Sequence, residues 1–189
     1  MQTDPKNQIR GRLKVFGTIL PRGHGQSFEQ QVLAAAPGND LLEASVRGLL
    51  AALKTVGEPV AKLDRLVIKQ AKENAMCRHL MSIPGVGVLT ALAFMTAIED
   101  PARFQKSRSV GTFLGLTPKR YQSGETEWDG RISKRGDALA RAYLYEAANA
   151  LLTHCRTWSA LKAWGMQLAK RRGLAKAKVA VARKLAVTC

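Results

Sequence analysis

Apolar residues recur at alternating spacings of four and three along the stretch from Leu42 to Val67. This spacing puts an apolar stripe along one side of a helix and is typical of helices that pair with another helix. We predict a helical arm over residues 29–80, with a kink or break near Pro59 because proline removes a backbone hydrogen bond. Two interpretations stay open: a face within an intramolecular bundle, or a dimerising coiled coil. The stripe consists of Leu42, Val46, Leu49, Leu53, Val56, Val60, Leu63 and Val67.

A glycine-containing turn is predicted where this arm ends, near Leu80. There the sequence reads Ile-Pro-Gly-Val-Gly, and a new apolar helix should follow at once and stop near Glu99. Gly85 and Gly87, separated by one apolar residue between two helices, are typical of a helix-hairpin-helix. In that motif backbone N–H groups at a helix N-terminus hold a phosphate. A plain turn between helices is the alternative interpretation.

The rest of the chain predicts short helices around one β-hairpin. Asp100 and Pro101 are a good N-cap and first position for a short helix, and residues 107–118 read as a short apolar helix and a turn. Residues 119–134 alternate weakly, hold two glycines and contain few helix formers, which favours a hairpin or an extended loop. Asp137 then caps an amphipathic helix, and two basic helices follow.

These elements predict a mainly α fold: a helical arm or coiled coil, then a helix-hairpin-helix-like helical domain with a small β-hairpin insertion. The corresponding boundaries are a residual linker over residues 1–28, the arm over 29–80, and a C-terminal domain over 81–189.

The charge of the chain indicates a polyanionic partner. The 189 residues carry a formal net charge of +16. Residues 101–189 contribute 18 basic and 5 acidic residues, and no acidic residue follows Glu146. Nucleic acid, either DNA or RNA, is the first candidate for the partner, and an anionic membrane surface is second.

The cysteines and the apolar runs indicate in which cellular compartment the protein is expected. Cys77, Cys155 and Cys189 are far apart and form no C-x-x-C pair, and no histidine is spaced as a metal ligand beside them. We therefore expect reduced thiols and no bound metal in this chain. The apolar runs are too short to span a bilayer, and the N-terminus lacks the apolar stretch of a signal peptide. A cytoplasmic, DNA-associated protein without a membrane partner is the expectation.

Basic and aromatic residues concentrate in the predicted hairpin and just after it. Such a cluster can neutralise phosphate oxygens through charge and forked donors, and aromatic rings can stack on bases or sugars. The alternative is a solvated basic loop with two aromatics packed on the core. The basic residues are Lys119, Arg120, Arg131, Lys134 and Arg135, and the aromatic residues are Tyr121 and Trp128.

Two serines, Ser123 and Ser133, are the candidate nucleophiles in this region. A serine beside a glycine is more often part of a turn than a nucleophile. His154 lies far along the next helix and supplies no nearby general base, and no converging set of carboxylates suggests a two-metal site. From the residues alone, the chain is a basic helical nucleic-acid-binding domain of undetermined activity.

The stretch from Ser82 to Ala148 closely resembles the C-terminal domain of the DEDD-type insertion-sequence transposases. These are relatives of the Piv invertase and include the recombinases guided by a bridge RNA. The resemblance rests on four segments in order: Ile-Pro-Gly-Val-Gly, Phe-Leu-Gly-Leu-Thr-Pro, the Ser-Gly pair at Ser123, and Gly-Arg-Ile-Ser-Lys-Arg-Gly-Asp leading into a helix.

The resemblance implies a covalent mechanism. In this family a resolvase-like N-terminal domain binds Mg²⁺ through four acidic residues, and the C-terminal domain supplies a serine that attacks a DNA phosphodiester. By motif position that serine is Ser123, with Ser133 as the second candidate. The five basic residues would neutralise the phosphate, and the arm over 29–80 resembles the family's coiled coil, which implies a homo-oligomer. A guide RNA is a further candidate partner.

Two departures from the family pattern shape the expectation. No residues here match the resolvase-like domain, and the chain ends where the last helix would be expected to continue, so it reads as an N-terminally truncated copy. The functional hypothesis is the nucleophile-bearing domain of a transposase, inactive without its metal-binding partner domain. The alternative is a non-catalytic helix-hairpin-helix module that binds nucleic acid, so enzymatic activity stays open.

Overall fold

The computed structural model describes residues 3–21, 25–35, 40–123 and 126–189. These residues are mainly helical and include one antiparallel β-hairpin, which confirms the predicted fold class at this level. None of the helices in these ranges is long and apolar enough to cross a membrane. The contacts divide the chain into two units, Met1–Leu66 and Val67–Cys189. The elements are α1 (Thr3–Val15), α2 (Gly25–Ala34), α3 (Asp40–Glu73), α4 (Ala75–Met81), α5 (Val88–Ile98), a 3₁₀ turn (Pro101–Arg103), α6 (Arg108–Phe113), β1 (Pro118–Ser123), β2 (Thr126–Ile132), α7 (Ala138–Thr153), α8 (Ala160–Arg172) and α9 (Leu174–Thr188).

The core of the first unit is formed by α1, α2 and the beginning of α3. Ile9 and Leu13 lie one turn apart on α1 and are fully buried. Phe28 and Val32, spaced the same way on α2, belong to the same cluster. Because residues four apart share one face of a helix, each short helix presents a single apolar face to α3. The segment 1–28, assigned to a linker from the sequence, thus contains a helix with a buried face.

The helix α3 corresponds to the predicted arm, and it continues through Pro59 to Glu73. The expected break is therefore wrong, because the helix persists on both sides of the proline, and a kink at Pro59 stays a prediction. The burial of the apolar stripe changes along the helix. Val46 is fully buried in the core of the first unit, whereas Val56 and Leu63 are 46% and 60% exposed.

The core of the second unit is built mainly from α5, α7 and α9. Leu144 and Leu151 of α7 and Val181 and Leu185 of α9 are fully buried in it. Many of the other buried positions on α7 and α9 are alanines, which allow the two helices to approach closely. On α8, Gly165 serves the same purpose: a Cβ there would lie 2.7 Å from side-chain atoms of Leu152 and Val181.

The turn between α4 and α5 lies where the sequence predicted it, with α4 ending at Met81 and α5 beginning at Val88. Gly85 has φ of +89°, and a Cβ at this position would lie 2.7 Å from the carbonyl oxygen of Ala147 on α7. Glycine is needed here because of both the positive φ and this close approach. Gly87 is the N-cap of α5 and has open space around it. Phosphate binding by this turn, and a helix-hairpin-helix arrangement, stay predictions.

Two predicted caps position the elements on either side of the hairpin. The carboxylate of Asp100 accepts a hydrogen bond of 2.9 Å from the amide of Ala102, with Pro101 at the first position of the 3₁₀ turn. The carboxylate of Asp137 accepts one of 2.6 Å from the amide of Ala140 at the start of α7. Side-chain acceptors at an N-cap satisfy amides that lack a helical partner, so both predicted helix starts are confirmed.

Candidate nucleic-acid interface

The predicted hairpin is present between α6 and α7. Its strands pair from Pro118 opposite Ile132, here called the hairpin base, to Ser123 opposite Thr126, here called the hairpin tip. The register shifts between Pro118 and Arg120, so that two residues of β2 face one residue of β1, as in a β-bulge. Every residue of β1 is exposed. The hairpin therefore has little apolar burial of its own and presents its surface to solvent.

A pair of stacked rings holds the two strands together. The Tyr121 and Trp128 rings lie opposite each other, with centroids 4.2 Å apart and planes at 11°. Tyr121 also covers Gly130, where a Cβ would lie only 2.8 Å from the tyrosine ring. The rings are 44% and 58% exposed, respectively, so they are not packed on the core. Stacking of these rings on a base or sugar stays a prediction.

The five basic residues singled out from the sequence are all exposed, and they concentrate toward the hairpin base and beyond it. Residues 118–132 hold three basic and three acidic residues, so the segment has no net charge. In the strand register, Glu127 lies opposite Gln122 and Asp129 lies opposite Arg120. Positive charge therefore predominates at the base and in the residues that follow it. The five are Lys119, Arg120, Arg131, Lys134 and Arg135.

Residues 133–137, here called the post-hairpin loop, are held by backbone contacts. The amide of Ser133 donates to the carbonyl of Thr117 at 2.9 Å, and that of Lys134 donates to the carbonyl of Gly115 at 3.1 Å. A Cβ on Gly136 would lie 2.0 Å from the carbonyl oxygen of Phe113, and Gly136 has φ of +82°. The Phe-Leu-Gly-Leu-Thr segment and the Ser-Lys-Arg-Gly segment thus pack backbone against backbone, which explains the glycines in both.

Arg141 fixes this packing and was not singled out from the sequence. Its Nη1 donates to the carbonyl oxygens of Leu114, Arg135 and Asp137 at 3.1, 3.2 and 3.4 Å. One guanidinium therefore joins the end of α6, the post-hairpin loop and the start of α7. The sequence offered one sign of this role: Arg141 lies four residues after the N-cap Asp137. Helical side chains tilt toward the N-terminus, so a long side chain at this position can reach the first turn.

The two candidate serines lie in different environments. Ser123 is exposed at the hairpin tip, whereas Ser133 is half-buried where the post-hairpin loop begins. Five residues separate Ser123 from Pro118 at the base, which is about 17 Å along an extended strand. The structure therefore brings Ser133 close in sequence and space to Lys134 and Arg135, and it places Ser123 a strand's length from them.

The candidate general base His154 is distant from Ser133, which precedes the start of α7. His154 caps the C-terminal end of α7, about 24 Å along the helix from its start. In the part of the chain that the structure describes, no group of three His, Cys, Asp or Glu residues could hold a metal ion. These residues therefore do not fit the Mg²⁺ site that the resemblance assigns to the resolvase-like domain.

Burial makes two of the cysteines, Cys77 and Cys189, poor nucleophiles. All three thiols are free, and burial raises the pKa of the Cys77 thiol. Burial also raises the pKa of the Cys189 thiol to about 11. The thiolate is the reactive form of cysteine. A raised pKa lowers the fraction of thiolate at neutral pH, so both thiols react slowly.

The fold therefore defines a helical domain with an exposed hairpin, followed by a loop with two exposed cations. Residues 77–163, which include the hairpin and the post-hairpin loop, match the family described as Transposase IS116/IS110/IS902. This segment is thus similar to transposases of that family, and the relatives below are named as transposases.

The relatives carry transposase names. The chain is 35% identical over 183 residues to the transposase for insertion sequence element IS1111A of Coxiella burnetii. The aligned region covers 94% of this chain and 50% of that protein. The chain is 31% identical over 186 residues to a probable family 20 transposase of Pseudomonas aeruginosa, covering 94% of this chain and 54% of that protein. The chain thus spans about half the length of these relatives.

Proposed function

We propose that this chain acts in DNA transposition, binding DNA through the hairpin base and the post-hairpin loop and supplying Ser123 as the nucleophile. The single observation that carries the proposal is the family match over residues 77–163, which contains both elements. The exposed cations toward the base give the phosphate contact that transposition requires, because cations near a DNA backbone release its condensed counterions.

The chemistry proposed for Ser123 is phosphoryl transfer to its hydroxyl. The Oγ attacks a phosphodiester, a phosphoserine bond forms, and one P–O bond of the DNA breaks. The serine proton passes to solvent, and the departing deoxyribose oxygen takes up a proton to become a hydroxyl end. The energy of the broken bond is kept in the new ester, so the strand can later be rejoined to a different end.

A covalent-adduct assay tests this proposal. DNA with a bridging phosphorothiolate traps the phosphoserine, because the released thiol is a poor nucleophile for the reverse step. Wild type, Ser123→Ala and Ser133→Ala are each incubated with this DNA and Mg²⁺, with and without a resolvase-like transposase domain added in trans. We expect an adduct on a denaturing gel that is lost only in Ser123→Ala.

The other outcomes are equally informative. Loss only in Ser133→Ala would transfer the role to the serine beside Lys134 and Arg135. An adduct that requires the added domain would identify this chain as the nucleophile-bearing half. No adduct in either condition, with salt-dependent DNA binding intact, would overturn the nucleophile proposal.

A non-catalytic nucleic-acid-binding module is the second candidate, and the charge distribution favours it. The exposed cations are displaced toward the base, while Ser123 lies at the tip. A phosphate held at the base would lie away from Ser123. This candidate predicts full DNA affinity in Ser123→Ala and loss of affinity in the double variant Lys134→Gln, Arg135→Gln.

We also propose that a second copy of the chain pairs along α3. The support is the exposure of Val56 and Leu63 on the predicted stripe and the resemblance to a coiled-coil family. Light scattering of Leu63→Glu should show monomers where the wild type is a dimer, and Arg65→Glu, exposed on the same helix, is the matched control. A monomeric wild type would overturn this part of the proposal.

A further inference from the structure

A groove along α9 is lined by neither candidate serine, although Ile132, which directly precedes Ser133, lines it. It has a volume of about 660 Å³, within the range of about 300–1,000 Å³ that is usual for small-ligand sites. One wall is a stripe on α9 at helical spacing, distinct from the face that α9 buries in the core. The hairpin base also contributes to the lining, through Pro118 and Ile132, and Leu116 lies next to them in the lining.

The floor of the groove is apolar and includes an indole ring. Val179, Ala180 and Val187 line it from α9, and Trp164 lines it from α8. Each of these four is half-buried, so each keeps some surface for a ligand. Flat apolar surfaces with an aromatic ring suit the face of a nucleobase, which stacks without regard to sequence.

Among the residues that the structure describes, no acidic residue lines the groove and four cations do: Arg108, Lys176, Arg183 and Lys184. All four are exposed. Lys184 Nζ lies 4.0 Å from the centroid of the Trp164 ring. The aliphatic part of Arg183 crosses α6 at Gly111, where a Cβ would lie 3.2 Å from the arginine Cγ. The Lys184 ammonium thus lies over the indole ring, and the aliphatic part of Arg183 lies against α6.

We propose that this groove binds an unpaired nucleotide of a single-stranded nucleic acid, with its base on the apolar floor and its phosphates at the cations. A nucleotide matches both features at once, because it joins an apolar ring to an anion. Bases within a duplex are stacked on their neighbours and cannot enter, so the strand must be unpaired at this point. The proposal adds a second contact to the proposed nucleic-acid interface and does not require Ser123 to react.

Trp164 gives a direct signal for occupancy. The chain has three tryptophans, so the full chain carrying Trp128→Phe and Trp158→Phe keeps Trp164 alone and its fluorescence reports on the groove. Titration with a ten-nucleotide single strand should quench its fluorescence, and a blunt duplex of the same length should not. Separate DNA and RNA arms show whether the sugar matters, and quenching by either strand supports the proposal.

Variants of the groove test the location. Ala180→Phe fills the floor, and it should weaken single-strand affinity about five- to hundredfold, the usual range for loss of one stacked base. Lys184→Gln should weaken binding and lower the slope of log affinity against log salt by about 0.7, as expected for one single-strand phosphate contact. Lys178→Gln is the matched control: Lys178 lies on α9 but does not line the groove, and it should change affinity less than twofold.

Each contrary result overturns the proposal. These are quenching by neither strand, equal losses in Lys178→Gln and Ala180→Phe, or quenching by polyglutamate but not by a strand. Thermal melting of each variant separates loss of fold from loss of binding. Duplex binding by the double variant Lys134→Gln, Arg135→Gln is measured in parallel. Loss of duplex binding there with Trp164 quenching retained would show that the groove acts without the proposed hairpin contact.

Discussion

The hairpin and the post-hairpin loop are consecutive in the chain and both present exposed cations, but they are held in opposite ways. The hairpin is exposed along β1, and a stacked ring pair joins its strands. The post-hairpin loop is fixed by backbone hydrogen bonds, by glycines in close contact and by Arg141. Residues of the same type therefore have different freedom in the two segments. The loop offers cations on a rigid base, and the hairpin can adjust to a ligand.

The rigid side of this comparison is tested most strongly at Gly136. Gly136→Ala adds a Cβ only 2.0 Å from a backbone carbonyl oxygen at a positive φ, and backbone at this site cannot yield without separating α6 from the loop. We expect the free energy of unfolding to fall by at least about 3 kcal/mol, or the second unit not to fold. Chemical denaturation followed by circular dichroism measures this.

Gly87→Ala is the matched control, since Gly87 lies in the same unit with φ of −96° and open space around it. Its cost should be at most about 1 kcal/mol, the range for an unfavourable residue at an N-cap. Similar losses in the two variants would show that the loop is not the rigid element described here.

Arg141 gives the next largest effect. Arg141→Met keeps a long apolar stem and removes the donor shared by three carbonyl oxygens, so the free energy of unfolding should fall by about 1–3 kcal/mol. Arg156→Met, at an exposed arginine of the same unit, should change it by less than about 0.5 kcal/mol. Equal values for the two would mean that the guanidinium does not hold the loop.

Local signals in the sequence predicted most elements around this site. Asp100 with Pro101 and Asp137 marked helix starts because a cap satisfies amides next to it in the chain. The paired glycines and weak alternation predicted the hairpin, and the stripe from Leu42 predicted α3. All of these depend on residues a few positions apart.

What the sequence did not show depends on residues distant in the chain. The packing of Gly115 and Gly136 requires α6 and the post-hairpin loop to meet, and nothing local indicates that contact. The groove needs α6, the hairpin base, α8 and α9 together. Of the kink or break expected at Pro59, the break is wrong, because helix on both sides of the proline outweighs the loss of one backbone hydrogen bond.

The smallest effect is expected in the hairpin, where the stacked rings of Tyr121 and Trp128 join the strands. Trp128→Ala removes a stacked pair, worth about 0.5–1.5 kcal/mol, while the helical core keeps its contacts. The global unfolding transition should therefore change little. The hairpin itself should open more often, so tryptic cleavage at Lys119, Arg120 and Arg131 should quicken about two- to tenfold.

Trp158→Ala separates a local effect from a general one. Trp158 is also exposed, at 69%, but it lies outside the hairpin, so its loss should leave the hairpin cleavage rates unchanged. Addition of DNA should slow cleavage in the wild type and less so in Trp128→Ala, because an open hairpin must be ordered before it can bind. Equal cleavage rates in all three proteins would show that the ring pair does not set the hairpin's freedom, and the contrast with the post-hairpin loop would have to rest on the loop's backbone contacts alone.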